Sequence, residues 1–438
     1  MLIMRGQEDL LERATVSPII LASDKTQLMA FSSNKQAWPV YLMIGNIDKK
    51  IWWCLTVRAT MLVAYLPVTK LKCFTDKLRP YVTYQLFHQC MESLLEPLKI
   101  VGEQGMEMTY ANGWVCRVYT ILAAYVTDFP EQYLVACCKE SQCPWCLVPQ
   151  NKQGLLIWSD PQDQRKTVEI LRQRAEGLKP KAFVSQGLWP VSPFWANLSY
   201  TDIFQCFTPD IHHQLHKGIF KDHFVSWSTE AVDRGHNEVD CHFQSMTRHT
   251  TLWHFKKGIS LVMQWIGNEY KNMEKIFLEV IVGAADEWVI WAVRAVMDFI
   301  SYACFEIHTE CSLERMDRAW SAIHENKKIF MELGICKNFI GFVTGNPQVG
   351  EFHTAPVTCD TAPTTVTDKH HTVHAQVSYG VMITCWGLKN CGLLWRTVGI
   401  CEEPWGSEAA RWLRWDSCTN RMISHQYITL LRDSQRQM

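Results

Sequence analysis

The chain has 438 residues, 47% of them apolar and 20% charged, which is ordinary globular composition and enough length for two or three domains. Its formal net charge of −1 excludes a global basic field, so any nucleic-acid contact must come from local patches. No basic segment followed by an apolar core and a small-residue cleavage site opens the chain, and the most apolar region, Phe277 to Phe305, is interrupted by Asp286, Glu287, Arg294 and Asp298; neither secretion nor a membrane span is expected. The 18 cysteines then read as reduced thiols, some of them available to zinc.

Residues 1–13 read as a short helical lead. Ser17 to Leu28, SPIILASDKTQL, is a continuous apolar run ending in a polar turn, the pattern of a buried strand that delivers Asp24 to its end. Trp38 to Ile47 and Ala59 to Val68 are two more strands, the second closed by Pro67, and the three in succession suit an antiparallel meander. From Asp76 to Gly102 the apolar spacing turns helical, with Leu78, Val82, Leu86, Cys90, Leu94 and Leu98 as the expected buried face. A fourth strand, apolar from Tyr119 to Val126, ends at Asp128.

The order is strand, strand, strand, helix, strand. A helix crossing between the third and fourth strands allows the fourth to lie next to the first, so that their ends meet. A hard divalent cation needs more than one carboxylate, and Asp24 with Asp128 supplies a pair. Two strand-end aspartates so separated are the outline of an RNase H-like metal-dependent core, in an α/β (α+β) chain. The alternative is that each aspartate caps a turn, a common use of Asp.

Past Asp128, CCKESQCPWC holds Cys137, Cys138, Cys143 and Cys146, a zinc-knuckle-like cluster whose spacing can wrap a structural zinc ion; free thiols in a loop are the alternative. Residues 151–187 are polar with a helical middle. His212, His213, His216 and His223 follow in a dense run, with His212 and His216 four apart on an expected helix. A zinc hydrolase built on them is disfavoured because HExxH is absent, and an Asp210 helix cap with partly buried histidines is the plainer reading. Residues 253–330 are helical by period; Lys256, Lys257 and Lys271 there suit either DNA phosphates or a solvated surface.

SDKTQL followed by AWPVYLMIGNI, then VTDFPEQ, CCKESQCPWC, DIFQCFTPDIHHQLHKGIFKDHFVSW and HFKKGISLVMQWIGNEYKNMEKIFLEVI together resemble the Plavaka transposases, CACTA-like cut-and-paste elements of fungal genomes. The resemblance spans about three quarters of the chain. It implies a DDE/D transposase with an RNase H-like fold that acts on DNA (the transposon ends) in the nucleus, uses two Mg2+ or Mn2+ ions, and has room to work as a homo-oligomer. It makes Asp24 and Asp128 the first two catalytic acids and metal ligands, and Asp210 with His213 an Asp-x-x-His motif followed by a helical insertion. The expected organisation is a core at 14–135, the cysteine cluster at 136–150, a connector carrying the Asp-x-x-His motif at 151–235, the insertion at 236–337 and a diverged tail at 338–438. The tail lacks the helical, Glu-bearing continuation such a family implies. Glu238, Glu269 and Glu274 lie in the right region for the third acid without matching a motif, so a decayed copy is expected, and a non-catalytic DNA-binding or interaction relic on the same scaffold is the alternative.

Overall fold

The computed structural model describes residues 14–27, 36–52, 54–110, 113–208, 210–262, 267–305, 307–337 and 339. The expected helical lead at 1–13 and nearly all of the expected tail lie outside the described residues. Two compact units are present: the first takes the described residues up to Leu147 and those from Pro161 to Thr208, and the second takes Val148–Asp160 and the residues after Thr208.

The first unit is built on a mixed sheet. Its central strand β1, Ala14–Ser23, is buried continuously from Val16 to Leu21, because a strand covered on both faces is apolar at every position. On one side β1 pairs antiparallel with β2, Pro39–Ile44, which pairs in turn with β3, Thr60–Tyr65. The chain then enters helix α1, Arg79–Gln104, and returns through β4, Met106–Thr109, into β5, Val115–Val126. β5 lies parallel to β1 on its other side, from Ala14↔Arg117 to Ala22↔Val126. The order is β3-β2-β1-β5-β4. The far edge of β5 is shared: β4 holds its beginning, and a two-residue strand β6, Phe207–Thr208, lies parallel to its end. The first strand thus neighbours the fourth major strand, as the sequence pattern requires; β6 falls in the stretch read as a connector.

α1 packs on β5. Thr120 Oγ1 donates to the Leu98 carbonyl at 2.8 Å, and a Cβ at Gly102 would sit 2.9 Å from the Thr120 carbonyl oxygen, so glycine permits the approach at that turn. The buried face of α1 differs from the expected one: Phe87, His88, Met91, Leu95, Leu98 and Val101 are buried, whereas Leu78 is exposed and Val82, Leu86, Cys90 and Leu94 are half-buried. Only Leu98 belongs to both sets. Positions spaced strictly by four advance about 40° per step around a helix of 3.6 residues per turn, so that stripe winds away from the sheet. Below α1, Trp38 stacks on Phe87 with ring centroids 5.3 Å apart.

The second unit is largely helical among its described residues, but 246–262 form turns and irregular chain, so the helix expected from Trp253 onward starts only at Gly267. A π-helical segment, Ile211–Val225, buries Leu215, Ile219, Phe220 and Phe224. Around it stand α2, His236–Ser245, α3, Gly267–Ile281, α4, Glu287–Ala303, and α5, Glu310–Asn326. Edge-to-face rings join them, Phe220 on Phe277 and Phe224 on Phe330. A reciprocal Thr309–Ser312 cap starts α5, and the buried Lys327 ammonium donates to the Gly154 carbonyl at 2.7 Å, holding the 148–160 segment to this unit. Among the described residues no helix is long and apolar enough to cross a membrane.

The centrality of β1 has a measurable consequence. Leu21→Ala, at a site with 0% exposure, is expected to cost roughly 2–5 kcal/mol in urea unfolding, while Leu62→Ala on β3, 46% exposed, changes stability by no more than about 0.5 kcal/mol. Equal effects at the two positions would contradict the placement of β1 at the centre.

Candidate functional site

The parallel register of β1 and β5 sets the site. Ala22 pairs with Val126, so Asp24 and Asp128 each stand two residues beyond the last paired position of neighbouring strands, whose backbones run about 4.8 Å apart. Asp24 is exposed and Asp128 half-buried. Asp128 also serves the fold, as the N-cap of a short helix, Phe129–Val135, where its Oδ1 accepts the Glu131 N–H at 2.9 Å. The turn-capping role weighed in the sequence is therefore real for Asp128, and it coexists with the position beside Asp24.

Behind the aspartates lies an acid that the sequence pattern does not single out. Glu131, 6% exposed, is held by donors on both oxygens: Ser23 Oγ donates to Oε1, and Trp38 Nε1 donates to Oε2 at 3.0 Å. The Tyr125 hydroxyl lies 2.8 Å from Ser23 Oγ. Burial pushes the Glu131 carboxyl up to about 8; the charges of Asp128 and Asp24 push the same way, and the Ser23 and Trp38 bonds pull against them. One group thus senses both aspartates. The available signal is the acid three residues after a capping Asp, the spacing of a capping box, although here the Glu131 side chain turns to Ser23. Lys25 lies over the other end of the assembly, 5.6 Å from the Trp38 ring centre.

The cysteine segment packs against the same helix. Trp145 Nε1 donates to Gln132 Oε1 at 3.0 Å, and Gln132 Nε2 donates to the Thr208 carbonyl of β6 at 2.9 Å. Cys137, Cys138, Cys143 and Cys146 are all buried free thiols. Cys143 and Cys146 hydrogen-bond to each other, and Cys143 Sγ accepts the Trp145 N–H at 3.4 Å. Cys137 turns elsewhere, with Sγ 3.2 Å from His88 Nε2. His88 Nδ1 accepts the Phe194 N–H at 3.3 Å, which assigns the ring proton to Nε2, where it reaches the Leu134 carbonyl at 3.0 Å. Burial lowers the His88 pKa to about 4 and raises the Cys137 thiol. Among the described residues no three His, Cys, Asp or Glu side chains gather as a metal-holding group; Cys143 and Cys146 stand as a pair, and Asp24 and Asp128 are neighbours by strand register.

In the second unit, Asp210 caps the π-helical segment. Its Oδ1 accepts the His213 N–H at 3.0 Å and its Oδ2 is bonded to His213 Nδ1. The expected Asp-x-x-His motif is thus a closed local pair. His212 is driven down to about 4 by burial and then by the neighbouring His213 charge. Its ring stacks edge-on to Tyr270 at 5.3 Å. Of the acids weighed as a third ligand, Glu274 is bonded to His216 Nδ1 at 2.5 Å, and Glu238 lies 3.7 Å from Arg234 and 3.4 Å from His242.

Compared with known families, residues 3–228 match the Plavaka transposase family, which is more than half of the 438 residues. The chain belongs to the Plavaka transposase family. No curated protein matches it. The stretch shared with the Plavaka family holds the whole sheet, Asp24, Asp128, Glu131, the cysteine segment and the Asp210–His213 pair. A transposase works on DNA, so membership names the partner that the near-zero net charge left open.

The Glu131 proton gives the first unit a pH dependence with a definite sign. The folded chain keeps a proton that the unfolded chain releases near 4.5, so this group's contribution is complete below about pH 4.5 and lost as pH rises through about 8. Across that window stability falls by about 1.4 kcal/mol per pH unit at most. In EDTA-treated protein, Glu131→Gln is expected to gain on the unmodified chain steadily from pH 5 to pH 8 in urea unfolding. A difference between the two that does not change with pH would contradict a buried, protonated Glu131.

Proposed function

We propose that this chain carries the RNase H-like core of a DDE/D-type DNA transposase, with Asp24 and Asp128 as the acids that hold a divalent cation against the DNA backbone. The observation that carries the reading is the shared register of β1 and β5, which brings two carboxylates to one end of one sheet, with Glu131 responding to both charges. The strand order, three antiparallel strands followed by a crossover helix and a strand parallel to the first, supports the same assignment, as does family membership.

The donor set suits Mg2+ or Mn2+, which prefer hard oxygen ligands and keep several waters when one or two carboxylates bind them. Such an ion supplies an activated hydroxyl nucleophile and stabilises the leaving oxygen in phosphodiester cleavage and strand transfer. The protein's own part is positional. Asp128 is fixed by its N-cap bond to the Glu131 N–H, and the Ser23–Glu131–Trp38 bonds lock the helix start against β1. Glu131 itself lies too deep to reach a phosphate, and its neutral form adds no third negative charge beside the aspartates. At the cysteine segment, a structural zinc ion takes four ligands, of which Cys143 and Cys146, the two thiols that stand together, would supply two. We place the activity in the nucleus, where the DNA is.

With a pair of carboxylates and no third acid among the residues matched to a motif, turnover is proposed to be low in this copy. A misplacement of about 1 Å costs roughly 100-fold in rate, whereas DNA association rests on distributed phosphate contacts and persists. The N-cap role of Asp128 favours, as second reading, a DNA-binding relic in which the aspartate serves the fold alone.

Cleavage and strand transfer on the element's terminal DNA with Mn2+ separate these. The transposase reading expects weak turnover that falls at least about 100-fold in Asp24→Ala and in Asp128→Ala while salt-sensitive DNA binding is kept. Loss of DNA binding and stability in Asp128→Ala, with no turnover in any form, would favour the relic. Robust turnover lost in both variants would show that a third acid completes the site.

A further inference from the structure

The register of the sheet also fixes what stands beside Asp24 and Asp128. Ser23 pairs with Val40, and Pro39 with Tyr65, so β3 finishes at the same end of the sheet as β1 and β5. The Leu66 N–H donates to the Trp38 carbonyl at 2.7 Å, which holds the chain at that level for one residue more. From there the loop 66–78 runs to the start of α1. It carries Lys70, Lys72 and Lys77, all exposed. Its one acid, Asp76, is paired with Arg79, and no ion pair holds the three lysines among the described residues. Lys25, next to Asp24 and also exposed, lies over Trp38. Turn bonds shape the loop: the Phe74 N–H donates to the Leu71 carbonyl at 3.0 Å and the Leu78 N–H to the Thr75 carbonyl at 2.9 Å, while Arg79 Nε donates to the Phe74 carbonyl at 3.2 Å.

We propose that the 66–78 loop, together with Lys25, is a phosphate-binding edge that seats the backbone of duplex DNA beside the reacting bond. Its role rests on the transposase reading, which puts the reacting phosphate at Asp24 and Asp128. A phosphodiester approaching two carboxylates is repelled, and a row of ammonium groups close by offsets that repulsion. With a net charge of −1 the molecule has no general field to do so, and the compensation has to be local. Neighbouring strands lie about 4.8 Å apart, so the end of β3 stands about 10 Å from the end of β1. That is about three nucleotide steps along one strand of a duplex, at about 3.4 Å each. Phosphates flanking the reacting one therefore come level with the loop. Lysine suits this task, because an ammonium on a flexible stem meets a phosphate as a point charge and reads no base. The edge positions the DNA and leaves its sequence to be read elsewhere.

The experiment measures binding of the full chain to a fluorescent DNA duplex of mixed sequence at stepped salt, without divalent cation, so that the result does not depend on whether the aspartates hold a metal ion. Lys70→Gln, Lys72→Gln and Lys77→Gln in one variant are expected to reduce the slope of log affinity against log salt by about 3, one for each lost phosphate contact. Lys166→Gln, Lys179→Gln and Lys181→Gln, at exposed cations elsewhere in the same unit, make the same change of charge and are expected to move the slope by no more than about 1. A second readout uses the unmodified chain. Cys73 is exposed within the loop, and Cys54, also exposed, precedes the opposite end of β3. Alkylation by N-ethylmaleimide, followed by peptide mass spectrometry, is expected to slow several-fold at Cys73 when the duplex is bound and to stay unchanged at Cys54. DNA binding in which the loop variant is no different from the other triple variant, or in which Cys73 is no better protected than Cys54, would overturn the proposal and leave the cation site standing. A chain that binds no DNA at all would overturn the transposase reading with it.

Discussion

Parallel pairing of β1 with β5 is the constraint on which the first unit depends. Two strands that point the same way cannot be joined by a tight turn, so the chain between them has to cross over. α1 makes that crossing and lies on β5, close enough that Gly102 permits contact with the Thr120 carbonyl. Covered in this way, β1 is buried from Val16 to Leu21, and the ends of both strands emerge at the same level. The polar chemistry gathers where the sheet stops protecting the backbone, at Asp24, Asp128 and the helix that Asp128 caps.

Burying Glu131 beneath that pair penalises its charged form and pushes its pKa up to about 8, while the Ser23 and Trp38 hydrogen bonds pull the other way. The chain of contacts through Tyr125, Ser23, Glu131 and Trp38 joins β5, β1 and the Asp128-capped helix in one polar cluster. A network of this kind is costly to leave half-satisfied and specifies a single arrangement of the strand ends. This ties the geometry of the candidate metal ligands to the core, and it explains how a site at a loop can be rigid without any ligand.

Much of this is legible in the residues, and what is not has physical causes. The four long strands announce themselves as continuous apolar runs, and their order fits the pairing of β1 with β5 that sets Asp24 and Asp128 past the ends of neighbouring strands. β6 is two residues long and has no period to detect. The face of α1 is lost because a strict spacing of four drifts around the helix, whereas Phe87, Met91, Leu95 and Leu98 mix spacings of four and three and stay on the sheet. The histidine run suggests α-helical spacing, but the segment is π-helical, so the partner of His216 is Glu274 from another element. Glu131 escapes notice because a Glu in the first turn of a helix is ordinarily a solvated or capping residue; its burial depends on Ser23 and Trp38, 108 and 93 residues away. Contacts of that separation are written in no local pattern.

The claim that the two strand ends form one cation site is tested most directly by Mn2+ binding to the purified chain, followed by electron paramagnetic resonance, for the unmodified protein, Asp24→Asn, Asp128→Asn and the double variant. A shared site predicts that each single substitution removes most of the affinity and that the double variant is hardly worse than either, since both act on one ion. Two losses that add independently, or Mn2+ binding indifferent to both substitutions, would contradict it.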